Sequence, residues 1–132
     1  MKNFDGWNEI KKEVDQKIYN PIKIGEVCWC KFGLNIGREQ NGDLIEFQRP
    51  VIVIKKFSAE FVLVAPLTTR FKKGNWYLDI NVLDNKRQVI LNQIKPIDTK
   101  RIFKIVGQIS EKEVKNILDK YIALLKGESE NV

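Results

Sequence analysis

The sequence predicts a mainly β protein with helices (α+β): a small barrel or closely related all-β core with a helix at each end. Three observations lead there. Between residues 24 and 107, short apolar stretches are broken by turn residues every few positions, enough for five to seven strands. Residues 5–19 and 110–126 instead repeat their apolar positions at the helical period. The chain has 132 residues, 43% of them hydrophobic, with no repeat or low-complexity linker, which suits one folded domain over 1–132.

The first helix is "DGWNEIKKEVDQKIY", residues 5–19. Trp7, Ile10, Val14 and Ile18 form one stripe, Asp5 can cap the start, and Asn20-Pro21 ends it. The stripe suits packing against the main core better than a separate arm. "EVCWCKF" then alternates, with Val27, Trp29 and Lys31 on one side and Cys28, Cys30 and Phe32 on the other. In "RPVIVIKKF" four β-branched residues, Val51 to Ile54, mark a strand buried on both faces. "EFVLVAPLT" follows after "SA", so the two form a tight antiparallel hairpin. "NWYLDINVL", "QVILNQI" and "RIFKIVG" supply further strands. The last helix, over 110–126, starts with a Ser110/Glu113 capping box and stops at Gly127. Its broad face of Val114, Ile117, Leu118, Tyr121, Ile122 and Leu125 packs on the barrel, with dimerisation open as a second role.

Composition excludes several function classes. The apolar runs are too short to cross a bilayer, and the first ten residues lack the continuous apolar segment of a secretory signal. The expected location is the cytoplasm, with no membrane partner. Cys28 and Cys30 are separated by one residue, too close for an unstrained disulfide, and no second pair exists for zinc. They read as reduced thiols buried beside Trp29. The chain has no histidine, no HExxH, no CxxC and no GxxxxGK. Its chemistry therefore falls to Arg, Lys, Thr, Ser, Tyr or carboxylates, with no cofactor or metal expected. A net charge of +6 favours an anionic partner: nucleic acid, an acidic protein or an acidic membrane face.

Three segments are chemically loaded. The connection "NIGREQNGDLIEF", residues 35–47, carries Arg38, Glu39 and Gln40 in a loop long for so small a core. Arg49 stands just before Pro50, which biases it toward extended geometry, and a guanidinium fits two phosphate oxygens at once. "APLTTRFKKGN", residues 65–75, places Thr68 and Thr69 at a strand end, followed by Arg70, Phe71, Lys72 and Lys73. Cations around an aromatic ring suit a nucleic-acid backbone with a stacked base. Each segment also has a plain structural reading, as solvated loop or surface charge.

In order, "GEVCW", "GREQ", "RPVIV", "VAPLTT", "NQIKPID" and "KIVGQIS" resemble the motifs of the MazF/PemK family of toxins from type II toxin–antitoxin systems. The match runs from about Ile24 to Leu125, leaving the first helix and the inserted "DLIEF" as a subfamily variation. The resemblance implies an SH3-like β-barrel of the CcdB/MazF/PemK type. It implies a homodimer with metal-independent endoribonuclease activity on single-stranded RNA. The implied partner is a cognate antitoxin whose acidic, partly disordered tail covers the RNA groove. Arg49 matches the family's catalytic arginine and Thr68 its catalytic threonine. Thr69 matches a hydroxyl that contacts RNA, and Gln93 the glutamine of the late motif. Arg38, Glu39, Gln40, Arg70, Phe71, Lys72 and Lys73 are the expected remainder of the RNA surface.

Two departures limit the transfer. One plasmid branch has a histidine where Arg38 stands and an aspartate where Asn92 stands, so those acid–base roles do not carry over. Arg49 and Thr68 are what is left to stabilise charge on the phosphoryl oxygens, and Glu39 is a candidate base. Attack by the RNA's own 2′-hydroxyl would leave 2′,3′-cyclic phosphate and 5′-hydroxyl ends. The alternatives are a non-catalytic gyrase-inhibiting toxin of the CcdB type and a barrel that binds nucleic acid without cutting it. The first relies on an apolar, Trp-containing C-terminus, whereas this chain ends in "GESENV".

Overall fold

The computed structural model describes residues 21–31 and 48–127. The helix expected over 5–19 lies outside the described residues, as does the connection bearing Arg38, Glu39, Gln40 and the 43–47 insertion. The strands are β1 (Glu26–Lys31), β2 (Gln48–Ser58), β3 (Phe61–Thr68), β4 (Tyr77–Val82), β5 (Asn85–Ile90), β6 (Lys95–Asp98) and β7 (Ile102–Gln108), followed by helix α1 (Glu111–Leu125). Short 3₁₀ turns occupy Leu91–Gln93 and Thr99–Arg101.

All described pairings are antiparallel, in the order β4-β5-β3-β2-β1-β7, and β6 pairs only with β3. One edge of β3 is shared: Phe61 to Val64 pair with β6, while Leu67 and Thr68 pair with β5. Val51, Val53, Val62 and Val64 point to one face, with Cys28, Cys30 and Ile97. Ile52, Ile54, Ala65 and Leu67 point to the other, with Val27, Val89 and three residues of α1. The run from Val51 to Ile54 is 0% exposed throughout, so β2 is buried on both faces as its unbroken β-branched sequence requires. Burying each such side chain contributes about 1.5–3 kcal/mol.

The Ser110 hydroxyl accepts the Glu113 N–H at 3.2 Å and caps α1. The buried stripe of α1 is narrower than its sequence suggests. Val114, Ile117 and Leu124 are buried, but Ile122 is 44% and Leu125 62% exposed. "QVILNQI" is not one strand either. β5 begins earlier, at Asn85, and ends at Ile90, where the Leu91 N–H turns to the Trp76 carbonyl at 2.8 Å. The chain then folds back so that "KPID" forms β6, a one-sided strand that tolerates Pro96.

Two glycines permit close approaches within the sheet. Gly25, at φ +95°, turns the chain into β1, donating to the Val53 carbonyl and accepting from Ile109. At the opposite edges, Leu83 from the β4–β5 turn lies against Gly107 of β7. A Cβ on Gly107 would stand 2.5 Å from Leu83 Cδ2, so a side chain there would displace the leucine terminus.

Candidate functional site

Arg49 is the second residue of β2, half-buried, and pairs with Cys30 of β1. Its guanidinium makes no hydrogen bond or ion pair with the described residues. Thr68 is the last residue of β3, also half-buried. The β2–β3 pairing runs up to Val51↔Pro66. Pro50 has no N–H to offer beyond that point. Extended two residues past that last pair along each strand, the same register would bring Arg49 opposite Thr68, on the face that holds Val51 and Val64.

The Thr68 hydroxyl oxygen accepts the Arg70 N–H at 3.0 Å. This bond occupies a lone pair and leaves the hydroxyl proton to be donated elsewhere. A half-buried cation and a proton-bearing hydroxyl thus share one end of one sheet face, an arrangement suited to an oxyanion.

Thr68 pairs in turn with Gln88 of β5, and Gln88 with Asp79 of β4. Gln88 is only 5% exposed, and its amide is fully used. Its Oε1 accepts the Lys72 N–H at 2.9 Å. Its Nε2 donates to the Lys72 carbonyl at 2.9 Å and to Asp79 Oδ1 at 3.0 Å. The segment from Thr69 to Lys73 is therefore fixed by its main chain beside Thr68, with the side chains of Thr69, Arg70, Phe71, Lys72 and Lys73 exposed. Sequence reading missed Gln88 and Asp79. The only signal was a polar residue opening "QVI", which ordinary in–out alternation also explains.

Gln93 is exposed on the 3₁₀ turn between β5 and β6, with no hydrogen bond or ion pair to Arg49 or Thr68. Cys30, although paired with Arg49, offers no nucleophile. Burial pushes its thiol up to about 11, with Lys95 and Arg101 pulling the other way. Burial, then Glu26 and Cys30, take Cys28 to about 12. Both thiols stay protonated at neutral pH. Among the described residues no group of three or more His, Cys, Asp or Glu could hold a metal ion. No described helix is long and apolar enough to cross a membrane.

A family model for PemK-like, MazF-like toxins of type II toxin–antitoxin systems matches residues 23–125. The chain belongs to this toxin family. No curated protein matches the toxin in sequence. Solved structures match its fold. MazF (Form-I) from Deinococcus radiodurans has 19% identity and a TM-score of 0.61, over 80% of the toxin and 96% of that chain. An endoribonuclease in complex with its cognate antitoxin, from a mycobacterial species, has 14% identity and a TM-score of 0.56, over 80% and 95%. The MazE–MazF structure (Form-II) from Deinococcus radiodurans has 18% identity and a TM-score of 0.54, over 83% and 98%. The toxin therefore has a MazF-like fold, mainly antiparallel sheet with a C-terminal helix.

Proposed function

We propose that this toxin is an endoribonuclease that cuts single-stranded RNA, including mRNA, in the cytoplasm by attack of the RNA's own 2′-hydroxyl. The observation that supports the reading is the β2–β3 register, whose extension past Val51↔Pro66 would bring Arg49 opposite Thr68, with the Thr68 hydroxyl proton left to donate. The 2′-oxygen forms a bond to phosphorus and gives up its proton. The bond from phosphorus to the 5′-oxygen breaks, and that oxygen takes a proton. The products are a 2′,3′-cyclic phosphate and a 5′-hydroxyl. Negative charge gathers on the non-bridging oxygens, where Arg49 binds it and Thr68 donates a hydrogen bond. Preorganised donors of this kind contribute about 2.7–4 kcal/mol each.

The exposed Arg70, Lys72 and Lys73 track the backbone of the bound strand, with Phe71 and Thr69 among them. Arg38, Glu39, Gln40 and Gln93 complete the RNA surface in this reading. Two of the similar structures contain an antitoxin, and one of those toxins is described as an endoribonuclease. That supports a cognate antitoxin as partner here, one with an acidic tail suited to a chain of net charge +6. The same reading takes the working form as a homodimer.

The test is incubation of the purified protein with single-stranded RNA in EDTA, with analysis of the product ends. Cyclic-phosphate ends are expected, and Arg49→Ala should slow cleavage by about 10²–10³-fold. Intact RNA, or activity that appears only with added Mg²⁺, overturns the mechanism.

A further inference from the structure

Beside the Thr68–Gln88–Asp79 row the sheet carries a cleft of about 250 Å³, lined by Phe71, Asp79, Ile80, Asn81 and Lys86. We propose that this cleft is a nucleobase subsite that selects a base with an exocyclic amino group over uracil. That its ligand is single-stranded nucleic acid rests on the reading above.

Its walls supply what base recognition needs. The Phe71 ring is 51% exposed and held on the loop that Gln88 fixes, so it offers a stacking surface already in place. Asp79 is the reader. Its Oδ1 is committed to Gln88 Nε2, a group that is itself buried, while its Oδ2 has no partner among the described residues. A carboxylate oxygen held this way accepts a hydrogen bond and donates none, and an exocyclic amino group is its natural complement. Cytosine, adenine and guanine carry one. Uracil presents two carbonyl oxygens flanking its ring N–H, which would face the carboxylate charge.

Asn81 and Lys86 are paired across β4 and β5, and neither side chain makes a hydrogen bond or ion pair with the described residues. The Asn81 amide supplies a donor for the ring nitrogen or carbonyl next to the amino group. Lys86 supplies a charge for a phosphate. Asp79 stands two strand spacings from Thr68, about 10 Å, within reach of a base flanking the cut. Single-stranded bases are read in this way, splayed and contacted along their edges.

The experiment is a binding titration of the whole chain with short deoxyuridine oligonucleotides. In each, one central position carries cytosine, adenine, guanine or uracil, and the missing 2′-hydroxyl prevents cleavage. The amino-bearing oligonucleotides should bind about 5–10-fold tighter than the all-uracil one. Asp79→Asn should bring that ratio close to one. Phe71→Ala, on an exposed loop where folding is not at stake, should weaken the favoured oligonucleotides by about tenfold. Lys86→Ala should weaken all of them alike and lower the salt dependence by about one phosphate contact. Equal binding of all four bases overturns the subsite, as does a preference that survives Asp79→Asn and Phe71→Ala. Base preference in a protein that cuts no RNA would uphold the subsite and refute the ribonuclease. Cleavage without base preference would do the reverse.

Discussion

The two connections at the ends of β4 solve the same steric problem in opposite ways. Residues 69–76 form a wide loop whose main chain is gripped from below by one buried amide, Gln88. Residues Leu83 and Asp84 form the tightest hairpin available, two residues between the Val82↔Asn85 pair. Both have positive φ, 52° and 68°, the type I′ geometry that favours Asn-Gly. No glycine relieves Leu83; its side chain lies on Gly107, and Asn85 Nδ2 donates to its carbonyl at 3.1 Å. One connection leaves the side chains of residues 69–73 exposed. The other lays its side chain on the opposite edge strand and bears a strained backbone for it.

The largest change should come from the amide. Gln88→Leu strands the Lys72 N–H and carbonyl beneath the loop, and stability should drop by about 2–3 kcal/mol, read as a lower urea midpoint. Trypsin should then cut faster at Arg70, Lys72 or Lys73. Unchanged cutting would mean that the loop holds without Gln88.

Gly107→Ala should cost about 1–2 kcal/mol, since the new methyl group meets Leu83. The effect is bounded because a leucine terminus can rotate. Leu83→Asn should gain up to about 1 kcal/mol by relieving the left-handed strain. In that background Gly107→Ala should become nearly silent, and a double-mutant thermal melt measures the coupling. Additive effects would show that Leu83 and Gly107 do not act together.

At pH 8 the smallest expected signal comes from the thiols, which lie in the core cluster on the other part of the sheet and report unfolding of the whole molecule. Alkylation at pH 8 should be slow in the native protein and should not accelerate in Gln88→Leu while trypsin cutting does. Their pH dependence has a definite sign. Unfolded thiols lose protons near 9.0, whereas the folded ones hold them to about 12 and 11. Above pH 9 the unfolded state binds fewer protons, so stability should decline as pH rises from about 9 toward 12. A flat stability profile through that range would contradict the burial of the two sulfurs.

Much of the scaffold was legible because local chemistry and tertiary context agree there. Val51 to Ile54 could hardly be anything but a central strand, and Ser110 with Glu113 announces α1. "QVILNQI" was misread because its apolar residues continue past the point where a distant carbonyl, that of Trp76, captures Leu91. No local pattern encodes that bond. Leu125 looked like core because its spacing is right, yet α1 meets the sheet along Val114, Ile117 and Leu124. Arg49 and Thr68 were singled out by motif resemblance. Gln88 and Asp79 were not, since their importance lies in which backbone passes above them, and alternation along a strand is silent on that.

The grip of Gln88 on residue 72 has an evolutionary corollary. It recognises only a peptide group, so it is indifferent to which side chain position 72 bears, and positions 70, 71 and 73 lie outside it altogether. Substitutions there can accumulate without loosening the anchorage.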